Sequence, residues 1–386
     1  MRFAKDWRRL GLRSSDWEKV KLGELCQINK KTYSVSEKWG VVNYLDTGNL
    51  TEDQIQQFQY IETEKDKLPS RARRKVEYDD ILYSTVRPNQ HHYGIVKEIV
   101  PNMLVSTGFA VISVDKSKAD SDFIYYYLTQ NEIVETLHVI GEQSTSAYPS
   151  IKPSDITNLK LSLPSLEEQK EISRVLRLLD KKIENNKKIN HHLEQMAISI
   201  FENMFPNSTS GEFTIGEYII PKRGKNLLSK DAIDGKVPVV AGDLQPSTFH
   251  NTANTKSPVL TISASGANAG YINLWHTPVW SSDSSYIDSS MTDDVYFWYV
   301  LLKKRQQEIY DSQTGSAQPH IYPKHIEIMP TVELLEEDIS YFTKQVTPLF
   351  ETIGNNLEEI NRLKNFRDAL LPKLLSGEIS VNQATK

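Results

Sequence analysis

Residues 146–156 read SAYPSIKPSDI, and residues 316–326 read SAQPHIYPKHI. Both segments fit the pattern S-A-x-P-x-I-x-P-x-x-I, and the offset between them is 316 − 146 = 170 residues. An internal repeat constrains the architecture of a chain more strongly than any single motif. We therefore interpret the chain as a duplication of one structural unit.

Weaker matches follow the repeated motif in the same order along the chain. Their offsets are larger toward the N-terminus, as loop deletions in the second copy would produce. The matched pairs are residues 22–24 with 215–217, 47–50 with 241–244, 81–82 with 259–260, 106–107 with 281–282, and 166–168 with 335–337. Each match is weak alone, but chance does not readily produce their common order.

The length and composition indicate a soluble protein of several domains. A chain of 386 residues exceeds what one hydrophobic core usually organises. No apolar run approaches the ~20 residues that cross a bilayer, and the basic N-terminus has no apolar segment behind it. Cys26 is the only cysteine, which agrees with a reducing compartment. We expect a cytoplasmic protein without a membrane segment.

The charge distribution limits how this chain could bind nucleic acid. Its formal net charge is −5, and neither the repeats nor the segments between them are strongly basic as a whole. A nucleic-acid partner would have to be held by local basic patches, or its phosphate contacts would be shared with a partner subunit.

Each copy combines short strands with an aromatic helix. Apolar runs at residues 81–86, 109–114, 237–240 and 259–262 are bounded by Gly, Pro, Asn and Ser, as strands are. Helical patterns rich in aromatic residues follow at 122–128 and 294–300. These aromatic side chains could stack on bases, but their helical spacing favours packing in a core.

A long helix follows the first copy. After Leu163 and Pro164 the chain continues to Phe205 without Gly or Pro, and Ser165 with Glu168 forms a capping box. Two series with heptad spacing predict a coiled-coil seam in which asparagines fix the register. The series are Ile172, Leu179, Asn186, Leu193, Ile200 and Leu176, Ile183, Asn190, Ala197, Met204.

A second helix with the same spacing follows the second copy, and Pro348 is expected to kink it. Its series are Ile339, Val346, Ile353, Ile360 and Leu335, Phe342, Leu349, Asn356, Leu363, Leu370. About 40 residues at ~1.5 Å each give a helix of roughly 60 Å. Two such helices could pair along their seams or could be ordinary amphipathic bundle helices. The duplication favours the pair.

These observations predict an α+β chain of two mixed α/β domains in a pseudo-twofold repeat, separated by two long antiparallel coiled-coil helices. The expected boundaries are residues 1–163 for the first domain and 164–205 for the central helix. The second domain would comprise residues 206–330, and the C-terminal helix and tail would comprise residues 331–386.

Four segments resemble the specificity subunits of type I restriction and modification systems. Residues 163–172 read LPSLEEQKEI, 179–186 read LDKKIENN, 193–197 read LEQMA, and 367–379 read RDALLPKLLSGEI. The second helix departs from the pattern, because residues 335–338 read LEED without the fuller Pro-x-Leu-Glu-Glu-Gln form.

The resemblance implies a non-catalytic chain in which each domain is a target-recognition domain for one half of a split site on double-stranded DNA. It also implies that the two helices set the gap between the half-sites and dock methyltransferase subunits, with restriction subunits joining the complex. S-adenosylmethionine, ATP and Mg would then be bound by the partner subunits, and this chain would carry no cofactor.

Two segments of the first domain are candidate DNA contacts. The basic run 67–75 suits phosphate neutralisation, although such runs are often only solvated surface. Its candidates are Arg71, Arg73, Arg74 and Lys75. The loop 84–93 offers side chains that can pair with base edges in the major groove. Its candidates are Arg87, Asn89, Gln90, His91 and Tyr93. A metal at His91 and His92 is disfavoured, because no acidic or cysteine partner lies at ligand spacing.

The second domain offers corresponding candidates. They are Lys222, Arg223 and Lys225, together with Ser263, Ser265 and Asn268 of the small-residue loop 263–270. This loop lacks the glycine spacing of known phosphate-binding loops. Ser146 and Ser316 begin the repeated motif, where a contact with DNA and a role in a turn are equally plausible.

Two other classes of function fit the sequence less well. A self-contained amino-methyltransferase would resemble its family through Asn-Pro-Pro-aromatic or Asp-Pro-Pro-aromatic, and the sequence contains neither. Acidic-x-Lys matches such as residues 234–236 are expected by chance. A two-headed protein-binding scaffold would explain the long helices but not the basic loops.

Overall fold

The computed structural model describes residues 17–144, 148–315 and 318–384. The chain forms two compact units. The first combines Met1–Lys182 with Leu363–Lys386, and the second comprises Ile183–Arg362. Each long helix contributes to both units, so these units are delimited within the helices. The domain boundaries expected from the sequence follow helix ends instead and stay a prediction.

The first unit contains eleven short strands, three short helices and a closing strand among its described residues. The strands are β1 (Glu18–Lys21), β2 (Cys26–Ile28), β3 (Val41–Leu45), β4 (Leu50–Thr51), β5 (Gln54–Ile55), β6 (Gln59–Glu62), β7 (Ala72–Lys75), β8 (Ile81–Ser84), β9 (Tyr93–Ile95), β10 (Met103–Ser106), β11 (Phe109–Val114) and β12 (Lys160–Leu163). The helices are α1 (Ser121–Leu128), α2 (Asn131–Glu142) and α3 (Pro153–Thr157).

Two four-stranded sheets form the centre of the first unit. Their strand orders are β6-β3-β10-β7 and β2-β11-β8-β9, and β1 pairs with β12. Strands β3 and β10 run parallel, whereas the pairs of the other four-stranded sheet are antiparallel. All residues of β8 and β10 are buried, which explains why these strands read as continuous apolar runs rather than as alternating patterns.

The second unit repeats this arrangement with fewer strands. They are β13 (Phe213–Thr214), β14 (Lys222–Arg223), β15 (Val237–Val240), β16 (Thr248–His250), β17 (Val259–Ser263), β18 (Ile272–Trp275), β19 (Trp280–Ser281), β20 (Ser284–Asp288) and β21 (Pro330–Thr331). The helices after β20 and before β21 are α5 (Val295–Lys304), α6 (Gln306–Asp311) and α7 (Pro323–Glu327).

The sheet topology confirms the duplication. The order β14-β20-β17-β18 corresponds to β2-β11-β8-β9, and β16-β15-β19 corresponds to β6-β3-β10. Strands β15 and β19 run parallel, as their counterparts β3 and β10 do. The matched residues 22–24 and 215–217 both form a short 3-10 helix, so this weak sequence match marks equivalent positions.

The aromatic helices are core elements. Residues 123–128 of α1 and 295–302 of α5 are all buried. In α1 these side chains join a cluster with β8, β9 and β11, and in α5 they join a cluster with β17 and β18. The prediction that they pack in a core rather than form exposed stacking platforms is confirmed.

The long helices are α4 (Leu166–Met204) and α8 (Glu336–Leu375), and the short α9 (Val381–Ala384) follows them. Within the second unit the two long helices are antiparallel, because residues later in α4 contact residues earlier in α8. These contacts are Asn186 with Glu359, Asn190 with Asn356, and Phe201 with Phe342. Within the first unit Asp180 pairs with Arg367 at 2.8 Å. The predicted fold class is confirmed.

The second long helix differs from the sequence prediction at its start. Leu335 lies just before α8 and its side chain is 56% exposed, so its assignment to the apolar seam is wrong. Leu335 precedes the first turn of the helix, so its side chain does not follow the heptad positions. Helix α8 continues through Pro348 without a break in its assignment, and the expected kink stays a prediction.

Candidate nucleic-acid interface

In the first unit the loop between β8 and β9 is docked on the repeated proline motif. The backbone N–H of Arg87 donates to the carbonyl of Pro149 at 2.9 Å, and the N–H of Ile151 donates to the carbonyl of Thr85 at 2.9 Å. Val86 and Ser150 form an isolated antiparallel bridge between these segments. The motif therefore fixes the base of the hairpin loop.

The second unit repeats these contacts at the loop between β17 and β18. The N–H of Gly266 donates to the carbonyl of Pro319 at 3.1 Å, and the N–H of Ile321 donates to that of Ala264 at 3.0 Å. Ser265 bridges to His320. Since the same two backbone bonds recur, the repeated motif serves to hold one hairpin loop in each unit.

The hairpin loop of the first unit presents polar side chains to solvent. Arg87 is exposed, and its guanidinium carbon lies 5.0 Å from the ring centre of Tyr148. Asn89 and Gln90 are exposed in a 3-10 turn that spans Pro88–Gln90. Arginine, asparagine and glutamine donate and accept in the pairs that match guanine and adenine edges. The loop therefore keeps these three side chains accessible to a partner.

The remaining two candidates of this loop are engaged within the protein. The ring of His91 contacts the Glu52 carboxylate at 3.1 Å, and the hydroxyl of Tyr93 lies 3.1 Å from the same histidine nitrogen. Tyr93 begins β9 and is buried, with its ring stacked on Tyr83. Its assignment as a DNA contact is corrected, because a side chain in the core beneath the loop is closed off from a DNA surface.

His92 shows why a neighbouring pair of histidines need not bind metal. Its Nδ1 lies 2.7 Å from the carbonyl oxygen of Leu50 and 3.2 Å from the hydroxyl of Thr51. Together with the contact between His91 and Glu52, this hydrogen bond joins the hairpin loop to the turn between β4 and β5. Among the described residues, no group of three or more potential ligands has metal-binding geometry.

The conformation of this region is unusual for residues with side chains. Arg87 and His91 have φ of 47° and 58°, and Glu52 and Asp53 in the facing turn have φ of 47° and 66°. The N–H of Glu52 donates to the carbonyl of His91 at 3.0 Å. Left-handed conformations cost about 1–2 kcal/mol per residue outside glycine, so surrounding contacts must hold this cluster in place.

The basic run of the first unit begins in a loop and ends in a strand. Residues Ala72–Lys75 form β7, which pairs with β10. Lys75 is ion-paired with Glu37 and its ammonium lies 5.0 Å from the Trp39 ring centre. The last three positive charges of the run therefore lie on a strand, where they are partly used for packing.

The three arginines of this run differ in exposure. Arg71 is exposed, and Arg73 is half-buried with its Nε donating to the carbonyl of Ser70 at 3.3 Å. Burial lowers the pKa of Arg74, and its Nε is buried without a described acceptor. Arg71 and Arg73 are therefore the better-placed pair for phosphate contacts, and Arg74 is less accessible than its sequence position suggested.

The basic residues of the second unit are exposed at the start of its main sheet. Lys222 and Arg223 form β14, and Lys225 follows it. The guanidinium of Arg223 pairs with Asp283 at 2.5 Å, and the same carboxylate accepts a hydrogen bond from the hydroxyl of Ser265. Asp283 thus holds an arginine and a serine together beside the hairpin loop.

Two of the small-residue candidates are used internally. Ser263 is the last residue of β17 and is 4% exposed, so its assignment to an accessible loop is wrong, because the strand continues farther than the apolar run. The side-chain amide of Asn268 donates to the carbonyl of Gly242 at 3.3 Å. Ser146 and Ser316 lie outside the described residues.

Sequence reasoning missed three participants. Tyr148, at a variable position of the repeated motif, is 60% exposed and lies against Arg87. An exposed aromatic residue inside an otherwise constant motif was the available signal. No sequence signal pointed to Asp283 or to the turn at Glu52 and Asp53, because their contacts join segments that are far apart in the sequence.

Comparison with known proteins finds a matching family and similar chains. The family of type I restriction modification DNA specificity domains matches residues 14–195. The chain is 25% identical over 463 aligned positions to the type I restriction enzyme HindI specificity subunit of Haemophilus influenzae, across 95% of this chain and 100% of that protein. It is 27% identical over 428 positions to the MjaIX specificity subunit of Methanocaldococcus jannaschii, across 97% and 96%.

The chain is similar over most of its length to type I specificity subunits. The resemblance inferred from the sequence is thus confirmed. The type I restriction-modification S subunit from M. genitalium has the same fold, with a TM-score of 0.55 and 21% identity over 93% of this chain and 96% of that one. None of the helices in the three described segments combines the length and apolar character of a membrane span.

Proposed function

We propose that this chain is the non-catalytic, DNA-reading subunit of a type I restriction and modification complex, and that it recognises a bipartite target on double-stranded DNA. The observation that carries the proposal is the repeated hairpin loop, which is docked in each unit on the same proline motif through the same two backbone hydrogen bonds. Two like-built loops are what a split target requires.

The exposed side chains suggest a division of labour in the first unit. Arg71 and Arg73 attract phosphates and contribute affinity to any sequence. Arg87, Asn89 and Gln90 lie on the hairpin loop, where they can read base edges. Arg74 and Lys75 strengthen the local positive potential from partly buried positions.

The second unit offers a comparable set. Lys222 and Lys225 are exposed lysines that suit phosphate contacts. Arg223 and Ser265 are held by Asp283, so the remaining guanidinium donors of Arg223 and the accepting hydroxyl oxygen of Ser265 are oriented before DNA arrives. Such preorganisation lowers the ordering cost of binding.

The partner subunits complete the proposed complex. Helices α4 and α8 dock methyltransferase subunits, and restriction subunits join through the assembled complex. S-adenosylmethionine, ATP and Mg are bound by those subunits, and this chain determines the DNA sequence at which the complex binds. The complex acts in the cytoplasm, where its DNA lies.

Binding to randomised duplexes tests the proposal when the chain is assembled with its methyltransferase subunits. Arg71→Ala with Arg73→Ala should weaken binding to all sequences and reduce the salt slope by about 1–2. Asn89→Ala with Gln90→Ala should relax the preference at one half-site and leave the salt slope unchanged.

Lys19→Ala with Lys160→Ala is the matched control, since both lysines are exposed on the strand pair β1–β12, which carries none of the proposed contacts. Equal effects of the arginine pair and the amide pair would refute the division of labour. Binding that is absent, or indifferent to salt and sequence, would favour a protein-binding scaffold instead.

A further inference from the structure

Arg87 occupies a backbone position that suits glycine. Its φ is 47° and its ψ is 68°, which lies in the left-handed region that residues with a Cβ rarely adopt. The equivalent residue of the second unit is Gly266, with φ of +81°. The equivalence is structural, because both backbone N–H groups donate to the first proline carbonyl of the repeated motif.

The side chain of Arg87 explains why glycine is absent there. Its guanidinium lies 5.0 Å from the ring centre of Tyr148, a residue that is 60% exposed. Among the described residues, none accepts a hydrogen bond from this guanidinium. The tyrosine supports the planar group while its donors remain available for a partner. Gln318 takes the place of Tyr148 in the second unit, so both members of the stacked pair are specific to the first unit.

The loop around Arg87 is preorganised. The N–H of Gln90 donates to the carbonyl of Arg87 at 2.9 Å, and the N–H of His91 donates to that of Pro88 at 3.1 Å. His91 is in turn bonded to the turn that contains Glu52. Strained residues persist where the surrounding structure holds them, and such clusters often mark functional sites. An arginine that only neutralised phosphate would need neither this backbone nor an aromatic support.

We propose that Arg87 is the specificity-determining residue that reads a guanine in the half-site of the first unit, with Tyr148 as its positioning residue. Arginine donates two parallel hydrogen bonds to the O6 and N7 atoms of guanine in the major groove. The second unit lacks this contact because glycine replaces the arginine, so the two half-sites differ at the equivalent position. The inference rests on the proposed function and assigns its chemistry to one residue.

The test compares the base preferences of four variants in the assembled complex on randomised duplexes. Arg87→Gly should lower the preference for guanine at one position of one half-site by about 10- to 100-fold, equivalent to about 1–3 kcal/mol. Arg87→Lys keeps the charge but should lose most of the same preference, because lysine lacks the planar pair of donors. Tyr148→Ala should reduce it by about 2- to 5-fold.

Lys38→Gly is the matched control. Lys38 is exposed and has φ of 48°, so the substitution removes one positive charge and one left-handed side chain, as Arg87→Gly does. It should leave every base preference unchanged. A second measurement is the thermal midpoint, which Arg87→Gly should leave unchanged or raise by about 1–4 °C, since glycine adopts a positive φ readily.

The outcomes separate the possible roles of Arg87. Retention of the guanine preference by Arg87→Lys would overturn the inference, as would an equal loss at all positions, which indicates a phosphate contact. A lowered thermal midpoint of Arg87→Gly with unchanged preferences would assign a structural role and also overturn it. Complexes that contain the natural chain but bind DNA without sequence preference would overturn the proposed function itself.

Discussion

His276 is a residue whose burial should make the second unit sensitive to acid. Burial lowers the pKa of His276 to about 4, and its ring lies 6.4 Å from that of Tyr296. Helix α8 passes so close that a Cβ at Gly354 would lie 2.9 Å from the imidazole Cγ. The glycine in the middle of a long helix is thus explained by the close approach of His276 rather than by any break in the helix.

The expected consequence is a loss of stability between pH 6.5 and pH 4. The folded pKa lies below the usual value of 6.5, so the unfolded chain binds the proton more readily. The stabilisation from the neutral ring is complete above pH 6.5 and is lost as the pH falls toward 4. Between pH 7.5 and pH 5 the natural chain should lose about 1–2 kcal/mol more than His276→Gln. Urea unfolding at both pH values measures this; equal losses would contradict the prediction.

Single residues were the hardest level to predict from the sequence. Arg87, Asn89 and Gln90 lie on an exposed turn as expected, because turn-forming residues surround them. Tyr93 and Ser263 were misplaced, since a pattern of residue types does not tell the end of a strand from the start of its loop. The contact between Arg87 and Tyr148 could not be predicted from the sequence, because the two residues are 61 positions apart (148 − 87).

At the scale of elements, the seam between α4 and α8 contains polar pairs. They lie at the positions where the heptad spacing places asparagines. The side-chain amide of Asn356 donates to the amide oxygen of Asn190 at 2.7 Å, and Asn186 donates to Glu359 at 2.7 Å. The capping box and the run without Gly or Pro predicted α4 to within two residues at each end, because local signals determine where a long helix starts and stops. The pairing of particular asparagines depended on the register between two distant segments and was not predictable.

The pair of Asn190 and Asn356 should behave as a coupled unit. Asn190→Leu alone leaves the Asn356 amide without this acceptor and should lower the free energy of unfolding by about 1–2 kcal/mol. The double replacement with leucine should be neutral or stabilising, so the coupling in a double-mutant cycle should be about 1–3 kcal/mol. Asn185→Leu, on an exposed position of the same helix, controls for helix propensity. Additive effects in denaturant unfolding would show that the pair does not interact.

At the scale of the whole molecule, duplication was the most predictable property. The motif at residues 146–156 and its copy at 316–326 each hold one hairpin loop, so the sequence conservation between copies reports a structural requirement. The loops themselves differ in sequence, as recognition of two different half-sites would require. The sequence could not show how each loop is folded, because its backbone partners lie in other parts of the chain.

Helix length should set the gap between the two half-sites, because α4 and α8 each contribute to both units. Removing residues 184–190 from α4 together with 356–362 from α8 deletes the paired asparagines from both sides and keeps the heptad spacing. Seven residues correspond to about 10 Å of helix, or about three base pairs at ~3.4 Å each. Sequencing of methylated sites should reveal a target with the same half-sites and a gap shortened by about three base pairs. Deletion of 184–190 alone misaligns the seam and should lower binding to both targets. An unchanged gap in the paired deletion would show that the helices do not measure the distance.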